Sequence, residues 1–370
     1  MFMEILVSSV LLTLPLNVLG LTRGRDAKEG EFPFVVRILV SEKASDASND
    51  SVRMIQRNIE GYEDTFGDFS LDEYDDSRIS KRQTHKVNDE LIKEFSSNNA
   101  TKISAGVLIS TTRVLTTCSS VASFTGTKTI DFPLSQVLIN AGSIYRTGEF
   151  GEFKNPNSST RHPYCHFMIS TRTILFDYGI YEVDTPFGEG GNTGAVAPIH
   201  RSFKNSEQLD TALQRMLTSI SKTQCKTIGW GNFDKRFEGK GAPDNFERFS
   251  NVLQTTSMEI VDFPECYKAT CQEFQMCLNP LLEYGYFCAK AVTGGPCIED
   301  WSSPLTCNGD LFGIHVLPHR CTDRGFPRLF LRVDLAFDFI FGLKSASLPK
   351  SVDIHPLAGL LALCWFRNIA

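Results

Sequence analysis

The stretch KISAGVLISTTRVLTTCSS, residues 102–120, joins two short, mainly apolar runs through the polar pair Thr111 and Thr112. Short apolar or alternating runs bounded by polar residues are typical of β-strands. Comparable runs follow along the chain, separated by Gly, Pro, Asn and Asp: residues 135–142, 177–184, 225–231, 251–261, 311–317 and 327–333. This regular spacing predicts an all-β sandwich or barrel. Residues 333–343 have apolar positions at helical spacing and predict a helix that closes the domain.

Length and charge restrict the classes of function. With 370 residues, 42% of them hydrophobic, the chain is long enough to bury a substantial core. Its formal net charge is -6 and no basic excess is visible, which argues against a nucleic-acid partner.

The first residues and the cysteine content point to secretion. Residues 1–20 read as a signal peptide, a short apolar run with Val18 and Gly20 at the cleavage-site positions. The eleven cysteines are then expected to form disulfide bonds, and because their number is odd, one is left over. Three glycosylation sequons fit an extracellular protein and begin at Asn49, Asn99 and Asn157.

Between about residues 41 and 100 the composition changes. The segment has no cysteine, and its centre, residues 60–76, is rich in Asp and Glu without a basic residue. Such a segment buries too little apolar surface to offset the entropy of ordering it, so it is predicted to be a flexible, solvated insertion. Lys81 and Arg82 form a dibasic site in this segment, and whether the chain is cleaved after Arg82 is not decided by the sequence.

Motifs in fixed order along the mature chain resemble those of the trypsin/chymotrypsin family. They are LTRGRDAKEGEFPF at 21–34, SAGVLISTTRVLTTCSS at 104–120, RHPY at 161–164, FDYGIYEVDTPF at 176–187, CKTIGWG at 225–231 and CNGDLFGIHVLPHRC at 307–321. The resemblance implies two six-stranded antiparallel β-barrels with a C-terminal helix, over residues 21–342 interrupted by the insertion.

The same resemblance implies a disulfide pattern. It pairs Cys225 with Cys307, Cys266 with Cys277, and Cys288 with Cys321. Ser104 and Ser120 stand where the family has a bond beside its catalytic His. Bonds between Cys118 and Cys165 and between Cys271 and Cys297 are conceivable, and the pairing of these four cysteines and of Cys364 stays open.

The catalytic positions implied by the resemblance are degenerate. Asp177 retains the carboxylate, but Ser119 stands in place of the His, and a Ser hydroxyl does not act as a base near neutral pH. Where the family has Gly-Asp-Ser-Gly-Gly-Pro, residues 291–296 read Ala-Val-Thr-Gly-Gly-Pro, which assigns the nucleophile position to Thr293. Without a base, its hydroxyl is a poor nucleophile.

The surrounding machinery is altered at the implied positions as well. Ala291 and Val292 replace the Gly and Asp before the nucleophile, and the loop from Cys288 to Thr293 is one residue longer than the family's. Tyr286 is assigned to the base of the specificity pocket, and Leu317 and Pro318 replace the Trp-Gly at its entrance.

These changes favour a secreted, non-catalytic serine protease homologue, of a kind common in insects, that binds or regulates proteins in an extracellular protease cascade. The predicted partners are proteins, including proteases or their substrates, contacted through the acidic insertion. The alternative is a weakly active serine-protease-like hydrolase that uses Thr293 as its nucleophile.

No cofactor or metal site is predicted. The resemblance places His162 in a structural His-Pro-Tyr turn, and His200, His315, His319 and His355 have no nucleophile beside them in the sequence. No His/Cys/Asp group has metal-ligand spacing. The tail, residues 343–370, contains an apolar run too short to span a bilayer. It is interpreted as packing on the domain in preference to a lipid-anchor signal.

Overall fold

The computed structural model describes residues 24–41, 102–125, 128–168, 173–189, 196–218, 225–231, 250–274, 285–291, 296, 300–317 and 327–342. The predicted signal peptide, the tail and the insertion beyond Ser41 lie outside this part of the chain. Among the described residues, no helix combines the length and the apolar composition that crossing a membrane requires.

In the N-terminal part of the chain, the described residues form twelve short strands: β1 Arg25–Asp26, β2 Val35–Val40, β3 Lys102–Ser110, β4 Arg113–Thr116, β5 Ala122–Thr125, β6 Lys128–Asp131, β7 Val137–Ala141, β8 Glu152–Lys154, β9 Ser158–Arg161, β10 His166–Met168, β11 Thr173–Leu175 and β12 Gly179–Glu182. The other half adds β13 Cys225–Gly229, β14 Gln254–Ile260, β15 Tyr286–Ala291, β16 Pro304–Cys307, β17 Asp310–Leu317 and β18 Arg328–Arg332. Helices are α1 Ser206–Thr218, α2 Phe263–Phe274 and α3 Phe337–Phe341, with 3-10 turns at Cys118–Ser120, Leu134–Gln136 and Asp334–Ala336.

The two large sheets form the two halves of the fold. The first is antiparallel, with strand order β8-β7-β2-β3-β4-β12-β9, and makes a seven-stranded half-barrel. The second has the order β1-β14-β13-β16-β17-β18-β15, and an additional pairing of β14 with β15 closes six of its strands into a barrel. The predicted two-barrel, trypsin-like fold is confirmed, with the first half more open than a closed six-stranded barrel.

Apolar side chains fill each half and continue across their junction. In the first half the core includes Val36, Ile38 and Val114, all fully buried. The core of the second barrel extends into the first half through Val107 and Leu115. The chain therefore folds around continuous apolar packing, which is the main favourable term in folding. The predicted closing helix is present as the 3-10 turn followed by α3.

The insertion leaves and re-enters the fold at one place. Val40, at the end of β2, pairs with Lys102, at the start of β3. Ser41 is buried, and its N–H donates to the carbonyl of Gln136 at 2.9 Å, so this residue belongs to the barrel and not to the insertion.

Of the three disulfide bonds that the resemblance implies, one is present in the structure and two are not. Cys225 is bonded to Cys307, as the resemblance implied. The expected pairs of Cys266 with Cys277 and of Cys288 with Cys321 are corrected, because Cys266 is bonded to Cys288.

The reason for this correction is the position of helix α2 against strand β15. The N–H of Val261, just before the helix, donates to the carbonyl of Cys288 at 3.1 Å. Lys290 and Glu265 form an ion pair at 3.1 Å along the same contact. The first turn of α2 therefore lies over β15, with a Cα–Cα distance of 5.5 Å between Cys266 and Cys288, which is within disulfide reach.

Two further bonds involve cysteines whose pairing the sequence left open. Cys118 is bonded to Cys165, with Cα atoms 6.6 Å apart, which fastens the turn after β4 to the segment after β9. Cys271 is also disulfide-bonded. Cys277, Cys297, Cys321 and Cys364 lie outside the described residues.

Candidate functional site

Strand pairing brings Ser119 and Asp177 to the same place. Gly179, the first residue of β12, pairs with Thr116, the last residue of β4. Asp177 lies two residues before β12 and Ser119 three residues after β4, so both lie beyond the same end of these two neighbouring strands. The approach requires glycine at 179, because a Cβ there would lie 2.8 Å from the carbonyl oxygen of Thr117.

Ser119 binds both oxygens of the Asp177 carboxylate. Its backbone N–H donates to Oδ1 at 2.7 Å, and its Oγ donates to Oδ2 at 3.1 Å. Asp177 is 2% exposed and Ser119 is 3% exposed, so the pair is buried. A buried carboxylate that accepts two such bonds is stabilised and held in one orientation.

Lys102 supplies a positive charge to this pair. Its ammonium group donates to the backbone carbonyl of Ser119 and lies over the ring of Phe132, 5.3 Å from the centroid. Burial raises the pKa of Asp177 to about 7, although the bonds from Ser119 and the charge of Lys102 act in the opposite direction. Burial also lowers the pKa of Lys102 to about 8, against the attraction of Asp177.

Hydroxyl groups connect this pair to the second barrel. The Oγ of Ser302 accepts from the N–H of Thr117 at 2.9 Å and from the hydroxyl of Thr116 at 2.9 Å. It also lies 3.0 Å from the hydroxyl of Thr117, which in turn is 3.0 Å from the Oγ of Ser119 and 2.7 Å from that of Ser120. Within the described residues, no histidine is hydrogen-bonded to Asp177 or to Ser119.

The other predicted site residues are dispersed. Tyr286 begins β15, is 3% exposed and donates its hydroxyl to the carbonyl of Ile174 in β11, which links the two halves. Ala291 and Leu317 end strands β15 and β17. Val292, Thr293 and Pro318 lie outside the described residues, so their assigned roles stay predictions.

One predicted glycosylation site falls within the structure. Asn157 is exposed, immediately before edge strand β9, and its side-chain amide donates to the carboxylate of Asp184. Asn49 and Asn99 lie outside the described residues.

A possible metal-binding group at the site is already committed to another bond. Cys118, Cys165 and Asp177 offer ligand atoms within 4.8 Å of one another. Because both sulfurs form one disulfide, neither is a thiolate that could bind a metal.

Sequence analysis missed Lys102, Asp300 and Ser302. Lys102 begins an otherwise apolar strand, and a single charge beside such a run was the available signal. Asp300 is buried, and its Oδ1 accepts from the N–H of Gly231 at 2.7 Å. A Cβ on the neighbouring Gly229 would lie 2.0 Å from that oxygen, so the strand needs glycine there.

Comparisons with known proteins agree with the fold. No family model matches the chain. It is 28% identical over 140 residues to the thrombin-like enzyme agkihpin-1 of Gloydius halys, covering 34% of this chain and 50% of that protein. It is 25% identical over 120 residues to trypsin-2 of Salmo salar, covering 32% and 44%. The chain thus spans about half the length of the curated relatives it matches.

A solved structure extends the likeness over most of the chain. The scabies mite inactivated protease paralogue S-D1 superposes with a TM-score of 0.52 at 17% identity. The match covers 88% of this chain and 99% of that structure. At this identity the likeness concerns the fold.

Proposed function

We propose that this chain, a homologue of the trypsin-like serine proteases, is an extracellular protein without protease activity that acts by binding another protein. The observation that carries the proposal is the bonding of both Asp177 oxygens by Ser119. In a working site of this class, the carboxylate orients an imidazole that takes the proton of the nucleophile. Here the carboxylate is occupied by a residue with no basic group.

The remaining groups at the site are poorly suited to replace that base. A Ser hydroxyl does not accept a proton near neutral pH. The pKa of Lys102, lowered to about 8 by burial, still leaves its amine mainly protonated near neutral pH, and the ammonium donates to the Ser119 carbonyl. Ser119 is also 3% exposed, so a peptide bond would not reach it without rearrangement of the loop.

Disulfides and relatives support a location outside the cell. Three bonds join described cysteines, and disulfides of this kind persist in oxidising compartments. Curated relatives include trypsins and snake venom serine proteases. The mite paralogue is named an inactivated protease, which is consistent with retention of this fold without catalytic activity.

The acidic insertion is the proposed contact with the partner. Its centre, residues 60–76, has no basic residue, and such a segment accelerates association with a basic surface. Because Val40 pairs with Lys102, residues 42–100 can be replaced by a short Asn-Gly turn without separating β2 from β3. Weaker partner binding by this variant, with unchanged thermal unfolding, is expected.

An insertion of reduced charge is the matched control for the deletion. Asp72→Asn, Glu73→Gln, Asp75→Asn and Asp76→Asn together keep the length of the segment and remove part of its negative charge. Equal affinity of the wild type, the deletion and the reduced-charge variant would rule out the insertion as the contact.

Hydrolysis of a diverse peptide library tests the absence of catalysis. The secreted wild type is compared with Thr293→Ala and with trypsin as a positive control. No cleavage above buffer is expected. Cleavage by the wild type that disappears in Thr293→Ala would instead establish the alternative, a weak hydrolase with Thr293 as its nucleophile.

A further inference from the structure

Residues 300–304 lie at the junction of the two halves, beside the Ser119–Asp177 pair. The carbonyl of Trp301 accepts from the N–H of Ala105 in β3 at 2.8 Å. The next residue, Ser302, is fully buried and bonded to Thr117, which contacts Ser119. The backbone at 301–302 therefore faces the place where Asp177 would direct a catalytic base.

The sequence of this segment has the spacing of the protease signature. In Gly-Asp-Ser-Gly-Gly-Pro, the Asp stands four residues before the Pro, with the nucleophile directly after the Asp. Asp300 and Pro304 have this spacing, and Trp301 follows the Asp. The earlier assignment to Thr293 matches Gly-Gly-Pro but puts Val292 in place of the Asp.

The disulfide correction argues against the assignment of Thr293. That assignment rested on the Gly-Gly-Pro match, and it took Cys288 as the cysteine before the nucleophile, which gave a loop one residue too long because Thr293 is five residues after it. Cys288 is bonded to Cys266 and is therefore not available to Cys321. The next cysteine in the sequence, Cys297, stands four residues before Trp301, which is the family's spacing.

Backbone conformation agrees with this assignment. Ser302 has φ 66°, in the left-handed region that favours glycine. In the signature, the residue after the nucleophile is glycine, and Ser302 takes that place. The hydrogen bonds of its Oγ with Thr116 and Thr117 offset the conformational cost.

From these observations we infer that Trp301 occupies the nucleophile position of the fold, Asp300 the position of the Asp before it, and that Thr293 lies outside the site. The inference rests on the proposed function and deepens it. An indole ring has no hydroxyl that could attack a peptide carbonyl. The nucleophile is then lost outright, and the half-buried Trp301 takes its place.

Two matched cysteine pairs test the assignment in the full-length secreted protein. Thr117→Cys with Ser302→Cys is expected to form a disulfide, because the two hydroxyl oxygens are 3.0 Å apart. Thr117→Cys with Gly294→Cys is the control, since Gly294 follows Thr293 as Ser302 follows Trp301. Non-reducing peptide mapping identifies each bond. A 117–294 bond, or no 117–302 bond in protein that unfolds cooperatively, would overturn the inference.

A second test restores the chemistry at each position. Ser119→His is combined either with Trp301→Ser or with Thr293→Ser, and each protein is treated with a fluorophosphonate probe. In a competent site, the Ser oxygen bonds to phosphorus, fluoride leaves and the imidazole takes the proton. A mass gain at position 301 is expected, whereas a mass gain at position 293 would overturn the inference.

These outcomes are separable from failure of the proposed function. Peptide cleavage by the wild type that depends on Thr293 would overturn both. If the Thr117→Cys, Gly294→Cys variant forms a 117–294 bond and the wild-type protein cleaves no peptide, only the assignment of Trp301 is overturned. The chain would still lack protease activity.

Discussion

Lys102 donates a hydrogen bond from its ammonium group to the carbonyl of Ser119, the residue that binds both carboxylate oxygens of Asp177. The short turn that contains Ser119 therefore lies between the positive charge of Lys102 and the carboxylate of Asp177, and it is hydrogen-bonded to both. A buried charge is costly unless it is compensated, so each charge is expected to stabilise the other.

A double-mutant cycle measures this coupling. Lys102→Met is expected to lower the free energy of unfolding by about 1–3 kcal/mol, because Asp177 loses its neighbouring opposite charge. The combination with Asp177→Asn should cost less than the sum of the two single changes. Urea unfolding gives the values, with Lys128→Met on exposed strand β6 as the control. Strict additivity would mean that the charges are not coupled.

The pH dependence of stability is expected to carry the signature of Asp177. Its pKa is raised from 3.8 to about 7 on folding, so the folded state binds this proton more tightly than the unfolded state does. The resulting stabilisation is complete below pH 4 and is lost as pH rises through about 7. Relative to Asp177→Asn, which does not titrate, the wild type should therefore lose stability between pH 5 and 7.5, as measured by urea midpoints. A constant difference would contradict this.

Lys102 is expected to act in the opposite direction at higher pH. Its pKa falls from 10.5 to about 8 on folding, so the folded state releases this proton more readily. Stability relative to Lys102→Met should therefore increase as pH rises from about 8 toward 10.5. Thermal unfolding of both proteins across this range measures the difference. A wild type that loses stability relative to Lys102→Met would refute the assigned shift.

Two substitutions at Ser302 separate its hydrogen bonds from its backbone strain. Ser302→Ala keeps a Cβ at φ 66° and removes the acceptor for the Thr117 N–H, so a loss of about 1–3 kcal/mol is expected. Ser302→Gly loses the same bonds but relieves the strain, which should recover about 1 kcal/mol. Chemical unfolding of both variants checks the order. An alanine variant as stable as the glycine variant would show that strain is negligible here.

The bond from Tyr286 to Ile174 is expected to stabilise the contact between the two halves. Tyr286→Phe removes only the hydroxyl and leaves the Ile174 carbonyl without this donor, for an expected loss of about 0.5–1.5 kcal/mol. Tyr164→Phe is the matched control, because Tyr164 is 64% exposed. Equal unfolding midpoints for both variants would show that the Tyr286–Ile174 bond does not contribute to stability.

Asn157 is expected to be glycosylated in secreted protein. The side chain is exposed beside an edge strand, and the sequon Asn157-Ser158-Ser159 is complete. Peptide-N-glycosidase treatment should reduce the mass of the wild type by one glycan more than that of Asn157→Gln. Ser159→Ala, which keeps the asparagine but breaks the sequon, should behave like Asn157→Gln. Identical mass losses in all three proteins would show that the site is unoccupied.

Local patterns accounted for much of the fold. Apolar runs such as 102–110 predicted strands, because a half-buried or buried strand needs them whatever its neighbours are. The positions of Ser119 and Asp177 were also readable, since each lies in a short motif next to a strand. The Cys118–Cys165 bond was conceivable but undecided, because sequence spacing does not rank disulfide partners.

The sequence by itself determined the strand content, the order of the motifs and the absence of an imidazole at position 119, since these are properties of single segments. Only the tertiary structure decided that Cys266 meets Cys288, that Lys102 reaches Ser119 and that Ser302 lies on Thr117. The physical reason is that these contacts join different secondary-structure elements, separated by 17, 22 and 185 residues in the chain. Their geometry depends on how helix α2 packs on β15 and how the two halves meet, which no local pattern encodes.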